Sequence, residues 1–181
     1  MINKYALIKV VKGVIRENNE FSLRDTARKL KISSSTSKEA LDFLLSQKIL
    51  EKRKLGKNHL FKVKDTYLAK QIKILYTLAE LNSANFVEEI IAKCSDVLSI
   101  VLYGSAAKGE DDNDSDIDIL IISRKKLDIP ELNSEKKINR EVTIVSYTYK
   151  EWKEKTENDK VFYSNVTLNC IPLYGEKPVV L

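Results

Sequence analysis

The sequence predicts an α+β protein built from two parts, and three observations support this. Apolar residues recur at helical spacing in the first part of the 181-residue chain, and the second part contains runs typical of buried strands. Charge is also divided unevenly. Residues 1–64 hold 16 Lys/Arg against 6 Asp/Glu, a net charge of +10, whereas residues 65–181 hold 15 against 20, a net charge of −5. This asymmetry predicts a segment that faces nucleic acid joined to one with another task.

The composition excludes several classes of protein. With 43% hydrophobic and 31% charged residues, the chain is neither collagen-like nor largely disordered. No apolar run reaches the roughly 18 residues of a membrane span, and the first residues lead into a helical pattern rather than a signal peptide. Cys94, Cys170 and the single His59 lack the spacing of a disulfide framework or a zinc site. We therefore expect a cytoplasmic protein with no membrane partner and with both cysteines in the core.

Residues 1–64 are predicted to form three helices followed by a hairpin. Ser22 is a suitable N-cap for the second helix, and Asp25, three residues later, completes a capping box. Two β-rich runs on either side of a turn that contains glycine predict the hairpin. The predicted elements are helices over residues 2–16, 22–30 and 34–47 and strands over residues 49–55 and 59–63.

Three helices followed by a basic hairpin resemble a winged helix-turn-helix domain. The resemblance covers residues 1–64 and is carried by the phrase SLRDTARKLKISSSTSKEALDFLLSQKILEKR. It implies that the third helix reads the major groove of DNA while the hairpin, or wing, contacts flanking phosphates. The implied DNA contacts are Ser34, Ser35, Thr36 and Lys38 on the helix and Lys52, Arg53, Lys54 and Lys57 on the wing. A protein-interaction module is the alternative; the charge density favours DNA.

Residues 65–83 are predicted to form a connecting helix. Leu68, Ile72 and Leu75 belong to an apolar stripe along it. Winged-helix proteins commonly dimerise through such a helix, so we expect a homodimer; packing of the stripe within the chain is the alternative. The predicted domain boundary follows at residues 82–85.

The second part contains two predicted buried strands separated by a polar segment. Residues 99–103 form the first strand and lead directly into Gly104 and Ser105. After ten more residues, Asp116 and Asp118 open the second strand. Because they are two positions apart on a strand, their side chains point to the same face and could share a divalent metal ion.

Two other phosphate- or metal-binding motifs do not fit this segment. Gly104 and Gly109 have P-loop spacing, but Glu110 and Asp111 stand where Lys and Ser/Thr are required, and their charge would repel phosphate. A calcium-binding loop would need glycine where Ile117 stands. The remaining loop carboxylates, Asp111, Asp112 and Asp114, are predicted to be solvated.

The Gly-Ser turn and the Asp-x-Asp strand resemble the nucleotidyltransferase fold of the DNA polymerase β superfamily, most closely its minimal nucleotidyltransferases. The resemblance covers residues 86–176 and implies a domain with a small mixed sheet over residues 84–181. It implies transfer of NMP from NTP to a hydroxyl group, with Mg²⁺ or Mn²⁺ as cofactor. The implied site residues are Asp116 and Asp118 as catalytic metal ligands and Gly104, Ser105 and Lys108 as nucleotide-binding residues.

The third carboxylate of this superfamily is missing from its expected position, which Thr143 occupies. Glu141, two residues earlier on the same strand face, is the candidate substitute. Threonine has no charge with which to hold a second metal ion or accept a proton. Three functions therefore stay open: a nucleotidyltransferase, a DNA-binding transcription regulator that senses nucleotide or docks a partner without turnover, and an antitoxin that pairs with a separate helical toxin subunit.

Overall fold

The computed structural model describes residues 4–56 and 58–180. It divides into two compact units, Met1–Lys73 and Ile74–Leu181. The division falls inside a continuous helix, Tyr67–Ala84, so each half of that helix is counted with a different unit. The sequence places the boundary later, at residues 82–85, where the helix ends.

The N-terminal unit contains the three predicted helices and the predicted hairpin. A two-residue strand, which the sequence pattern does not reveal, pairs with the second hairpin strand to give an antiparallel sheet of order β1-β3-β2. The elements are α1 (Lys4–Val14), β1 (Phe21–Ser22), α2 (Leu23–Leu30), α3 (Ser34–Ser46), β2 (Leu50–Leu55) and β3 (Asn58–Val63).

Local sequence signals account for these elements. The predicted capping box is confirmed: the Ser22 hydroxyl accepts from the Asp25 backbone N–H, and the Asp25 carboxylate accepts from the Ser22 backbone N–H. The apolar stripe of α3 is buried, with Leu41 and Leu44 at 0% and 1% exposure. Phe61 of β3 is buried and stacks on the ring of Phe21 of β1.

The C-terminal unit is built around a four-stranded mixed sheet of order β6-β5-β4-β7. Strand β5 is parallel to β6, and β4 is antiparallel to both of its neighbours, which confirms the predicted small mixed sheet. Helix α4 (Tyr67–Ala84) is divided between the two units. The other elements of the C-terminal unit are α5 (Phe86–Lys93), β4 (Val97–Tyr103), α6 (Gly104–Lys108), β5 (Ile117–Ser123), β6 (Val142–Thr148), α7 (Tyr149–Asn158), α8 (Lys160–Asn169) and β7 (Ile171–Gly175), with a short 3-10 turn at Glu135–Lys137.

The two faces of this sheet carry separate apolar layers. Alternation along β5 places Ile119 in the layer that contains Phe86 of α5, and Leu120 in the layer that contains Trp152 of α7. Each layer holds one cysteine, Cys94 and Cys170 respectively, both buried and free as predicted. Asp118 shares its strand face with Leu120, so the carboxylate lies on the Trp152 side of the sheet.

Candidate active site and nucleic-acid interface

The end of β4 and the beginning of β5 bring Gly104 and Asp118 into contact. Tyr103 and Asp118 are paired residues of the antiparallel ladder, and α6 begins immediately after Tyr103. Gly104 has φ of +71°, and a Cβ atom there would lie 2.1 Å from Asp118 Oδ2. The absence of a side chain at this position therefore lets the carboxylate rest against the main chain, an arrangement that only glycine permits.

The two carboxylates differ in environment. Strand β5 begins at Ile117, so Asp118 lies on the strand as predicted and Asp116 immediately before it. Asp116 is exposed, whereas Asp118 is half-buried. Burial, together with the charge of Asp116, raises the pKa of Asp118. Burial and charge repulsion both make it unfavourable for Asp116 and Asp118 to be negatively charged together. A cation held between their carboxylate oxygens would offset both effects. Carboxylate oxygen is also the donor type that Mg²⁺ takes, so this pair fits a divalent cation.

The neighbouring strand confirms that threonine stands beside the aspartate pair. In the parallel ladder of β5 and β6, Thr143 is the partner of Asp118. The Ile117 N–H donates to the Glu141 carbonyl at 2.9 Å, so Glu141 lies level with Asp116 but is exposed. Across residues 4–56 and 58–180, no three His, Cys, Asp or Glu side chains converge closely enough to hold a metal ion. Glu141 thus does not complete a three-carboxylate cluster.

The acidic loop before β5 corrects one sequence prediction. Asp111, predicted to be solvated, is fully buried and accepts a hydrogen bond of 2.7 Å from Arg140 Nη1. Asp112 is also not simply solvated: its Oδ1 accepts from the Asp114 N–H and from the Ser115 hydroxyl. The prediction was wrong because the cation that compensates Asp111 lies 29 residues further along the chain.

Helix α6 carries the other predicted nucleotide-binding residues. The Ser105 carbonyl accepts from the N–H groups of both Gly109 and Glu110, which closes this single helical turn. Gly109, at φ of +68°, turns the chain into the acidic loop. Ser105 and Lys108 are half-exposed at the two ends of the turn. They lie on the segment that follows β4 directly.

Tyr103 is a site residue that the sequence reasoning missed. Burial and the nearby Asp118 carboxylate raise the pKa of Tyr103 to about 12, so the phenol stays protonated. Its ring makes an edge contact with Phe162 of α8, with centroids 5.8 Å apart. The sequence signal that could have indicated Tyr103 was an aromatic residue at the last position of the strand, directly before Gly104.

The predicted DNA-contacting residues divide into accessible and engaged groups. On α3, Ser34, Ser35 and Lys38 are exposed, while the Thr36 and Ser35 hydroxyls lie within hydrogen-bond distance of the Ser33 hydroxyl. On the wing, Lys52 and Lys54 are exposed. Lys57 lies outside the described residues.

Arg53 is engaged inside the N-terminal unit. Its guanidinium makes a two-pronged ion pair with the Glu20 carboxylate. This hydrogen-bonded pairing lowers the pKa of Glu20 and raises the pKa of Arg53. The Arg53 side chain is nevertheless 56% exposed, and the ion pair engages only its Nε and Nη2 atoms.

A groove of about 530 Å³ gathers cations from three elements of the N-terminal unit. Arg24 and Arg28 of α2, Lys38 of α3 and Lys52 of β2 line it, and all four are exposed. Arg28 is paired with Asp25 at 2.7 Å. Arg24 and Arg28 are not among the DNA contacts that the resemblance implies, which lie on α3 and the hairpin.

Comparison with known proteins supports the interpretation of the C-terminal unit. Residues 85–172 match the sequence model of the family described as Polymerase beta, Nucleotidyltransferase. Comparison with curated proteins gives no match. None of the helices within the described residues has the length and apolar character needed to cross a membrane. Residues 85–172, which carry Gly104, Asp116 and Asp118, are therefore similar to a nucleotidyltransferase domain.

Proposed function

We propose that the C-terminal unit is a metal-dependent nucleotidyltransferase that moves an NMP group from an NTP to a hydroxyl acceptor. The hydroxyl oxygen bonds to the α-phosphorus as the bond to the β-phosphate breaks, and pyrophosphate and the hydroxyl proton are released. The observation that carries this proposal is the packing of the Asp118 carboxylate against Gly104, beside Asp116, where β4 passes into α6. This arrangement places two metal-ligating carboxylates next to backbone that a phosphate can approach closely. The family match over residues 85–172 supports the same activity.

The residues would divide the work as follows. Asp116 and Asp118 would hold Mg²⁺ or Mn²⁺, which when bound neutralises phosphate charge and orients the transferred group. Gly104 and Ser105 would accept the phosphates against the main chain, and the Lys108 ammonium would offset their remaining charge. Because Asp118 is half-buried, its interaction with a cation is screened less by water than that of an exposed carboxylate.

Removal of the proton from the acceptor hydroxyl is the step for which this site is least well equipped. Thr143, level with Asp118, cannot act as a base. We propose Glu141 as the proton acceptor, because it lies level with Asp116, immediately before β6, and is exposed. Within residues 4–56 and 58–180, Glu141 does not converge with the two aspartates as a third metal-ligating carboxylate, so we expect slow turnover.

Removing both carboxylates is the direct test of this proposal. We expect the Asp116→Ala/Asp118→Ala variant to lose Mn²⁺ binding and all transfer of label from α-labelled NTPs, because the metal ligands are gone. Calorimetry and incubation with cell lysate as the source of acceptors measure the two properties. Nucleotide binding by the unmodified protein with no transfer to any acceptor would overturn the enzyme and favour the nucleotide-sensing regulator.

We further propose that the N-terminal unit is a winged helix-turn-helix that binds duplex DNA. The groove formed by α2, α3 and β2 supports this proposal, because cations from three separate elements converge on it. Phosphates are the partners that such a convergence would neutralise. The predicted homodimer stays a prediction; the exposed Leu68 and Leu75 of α4 favour it. The toxin partner stays a prediction from the resemblance alone.

The salt dependence of DNA binding tests the groove. We expect Arg24→Ala/Lys38→Ala/Lys52→Ala to weaken binding and to reduce the slope of log K against log salt concentration by about 3, one unit for each lost phosphate contact. Fluorescence anisotropy with a labelled duplex at several salt concentrations measures the slope.

A charge-matched control distinguishes the effect of the groove residues on DNA binding from the effect of the overall positive charge. Lys9→Ala/Lys12→Ala/Lys29→Ala removes the same number of positive charges from the same unit but spares every residue that lines the groove. We expect this control to leave the salt slope close to that of the unmodified protein. Equal slopes for the two triple variants would contradict the proposed interface.

A further inference from the structure

A buried ion pair adjoins both carboxylate-bearing segments of the candidate active site. The Arg140 side chain is 6% exposed and that of its partner Asp111 is 0% exposed. In the chain, Arg140 immediately precedes Glu141. Arg140 Nη1 also lies 3.5 Å from the carbonyl of Ser115, the residue before Asp116. The guanidinium of Arg140, which lies just before β6, therefore contacts the segment that leads into β5.

The second half of α4 holds this guanidinium from another side. Arg140 Nη2 donates to the Thr77 hydroxyl at 2.9 Å, and Thr77 is fully buried. The Glu80 carboxylate accepts from the Asn139 N–H at 3.0 Å, which fixes the backbone next to Arg140. The arginine is thus oriented by groups from α4 and from the acidic loop, all within the C-terminal unit.

Burial of this pair needs a physical reason beyond stability. Glu80 Oε2 also lies 3.9 Å from Arg140 Nε, so a third charge adjoins the pair. Removing these charges from water is costly, and apolar side chains of similar volume would often hold the same segments at least as well. A guanidinium differs from an apolar side chain in that its planar fork bonds several oxygens in fixed directions. Here the oxygens of Asp111 and Ser115 belong to the loop that delivers Asp116, and the Thr77 hydroxyl belongs to α4. The loop carries several further carboxylates, which repel one another.

We propose that Arg140, oriented by Asp111 and Thr77, is a positioning residue that sets the place of Asp116 relative to Asp118 and thereby the affinity of the site for a divalent cation. This inference rests on the proposed nucleotidyltransferase function. Groups that support metal ligands from outside typically change metal affinity by about 10–100-fold when they are altered. Arg140 does not touch the reacting atoms; it acts through the chain segment that carries Asp116.

Mn²⁺ affinity of the full chain tests this proposal without requiring turnover. We expect Arg140→Lys to weaken Mn²⁺ binding about 10–100-fold, because an ammonium cannot reproduce the fork that joins Asp111, Thr77 and Ser115. Asp111→Asn is expected to act in the same direction. Thr77→Val keeps the ion pair, removes one hydrogen bond and is expected to give a smaller loss. Electron paramagnetic resonance of free Mn²⁺ and calorimetry measure the affinities, and circular dichroism reports folding and melting temperature.

A matched control distinguishes positioning from general support of the fold. Glu89 is ion-paired with Lys93 and accepts from the backbone N–H groups of Asn133 and Ser134, so Glu89→Gln disrupts a comparable network of the same unit. We expect Glu89→Gln to lower the melting temperature with unchanged Mn²⁺ affinity.

The outcomes separate the two proposals. Weakened Mn²⁺ binding in folded Arg140→Lys or Asp111→Asn, with normal binding in Glu89→Gln, supports the positioning role. Folded variants of Arg140, Asp111 and Thr77 that all bind Mn²⁺ as tightly as the unmodified protein would overturn it while leaving the nucleotidyltransferase proposal intact. Mn²⁺ binding that survives Asp116→Ala/Asp118→Ala would overturn the proposed metal site and the positioning role together.

Discussion

The Gly104→Ala variant is expected to lose cation binding and nucleotidyl transfer by at least about 100-fold, the effect of a misplacement of about 1 Å in a catalytic arrangement. The added Cβ atom would lie 2.1 Å from Asp118 Oδ2 and 2.9 Å from Asp118 Cγ, so the carboxylate or the backbone must shift. Alanine at φ of +71° adds a strain of roughly 1–2 kcal/mol. Mn²⁺ calorimetry and label transfer measure the loss.

Gly56 provides the control for backbone strain. It has φ of +59°, but a Cβ atom there meets nothing within 4 Å. Gly56→Ala is therefore expected to show the strain without the displaced carboxylate: a lower melting temperature and unchanged Mn²⁺ affinity. If Gly104→Ala binds Mn²⁺ as the unmodified protein does, the contact between Gly104 and Asp118 has no part in a metal site.

The Thr143→Asp variant is expected to gain activity. Thr143 is the ladder partner of Asp118 on the parallel strand β6, so an aspartate there would place a third carboxylate beside the existing pair. A third charged ligand should tighten cation binding, and a nearby base contributes about 10²–10⁴-fold to proton transfer in favourable cases. We expect a rise of about 100-fold in the rate of label transfer, at the lower end of that range.

Thr143→Asn separates charge from shape. Asparagine closely matches aspartate in size but can neither accept the proton nor neutralise a cation. We expect it to leave the transfer rate near that of the unmodified protein. Equal rates for the aspartate and asparagine variants would mean that the missing third carboxylate is not what limits turnover, and the proposed account of slow chemistry would fail.

Much of the fold follows from signals local in the sequence. The Ser22–Asp25 capping box places the beginning of α2, because both partners lie within one helical turn. The apolar runs of β4 and β5 predict strands buried on both faces, and the structure buries both. The spacing of Asp116 and Asp118 likewise predicts a shared face, because side chains alternate along a strand.

Contacts between distant residues were less accessible to sequence reasoning. The charge pattern alone suggests that Asp111 is solvated and that Arg53 is available to phosphate. Asp111 is instead paired with Arg140, 29 residues away, and Arg53 with Glu20, 33 residues away. The sequence around a charged residue does not show which distant residue neutralises its charge.

The sequence by itself determined the helices and hairpin of residues 1–64 and the two buried strands around the Gly104 turn, because these depend on periodicity and capping within a few residues. Only the tertiary structure decided that Asp118 rests on Gly104, that Thr143 stands level with it and that Arg140 ties the acidic loop to α4. Those relations depend on strand register and on the burial of charge. Both are set when segments far apart in the chain pack together, since a buried charge requires its partner at hydrogen-bond distance.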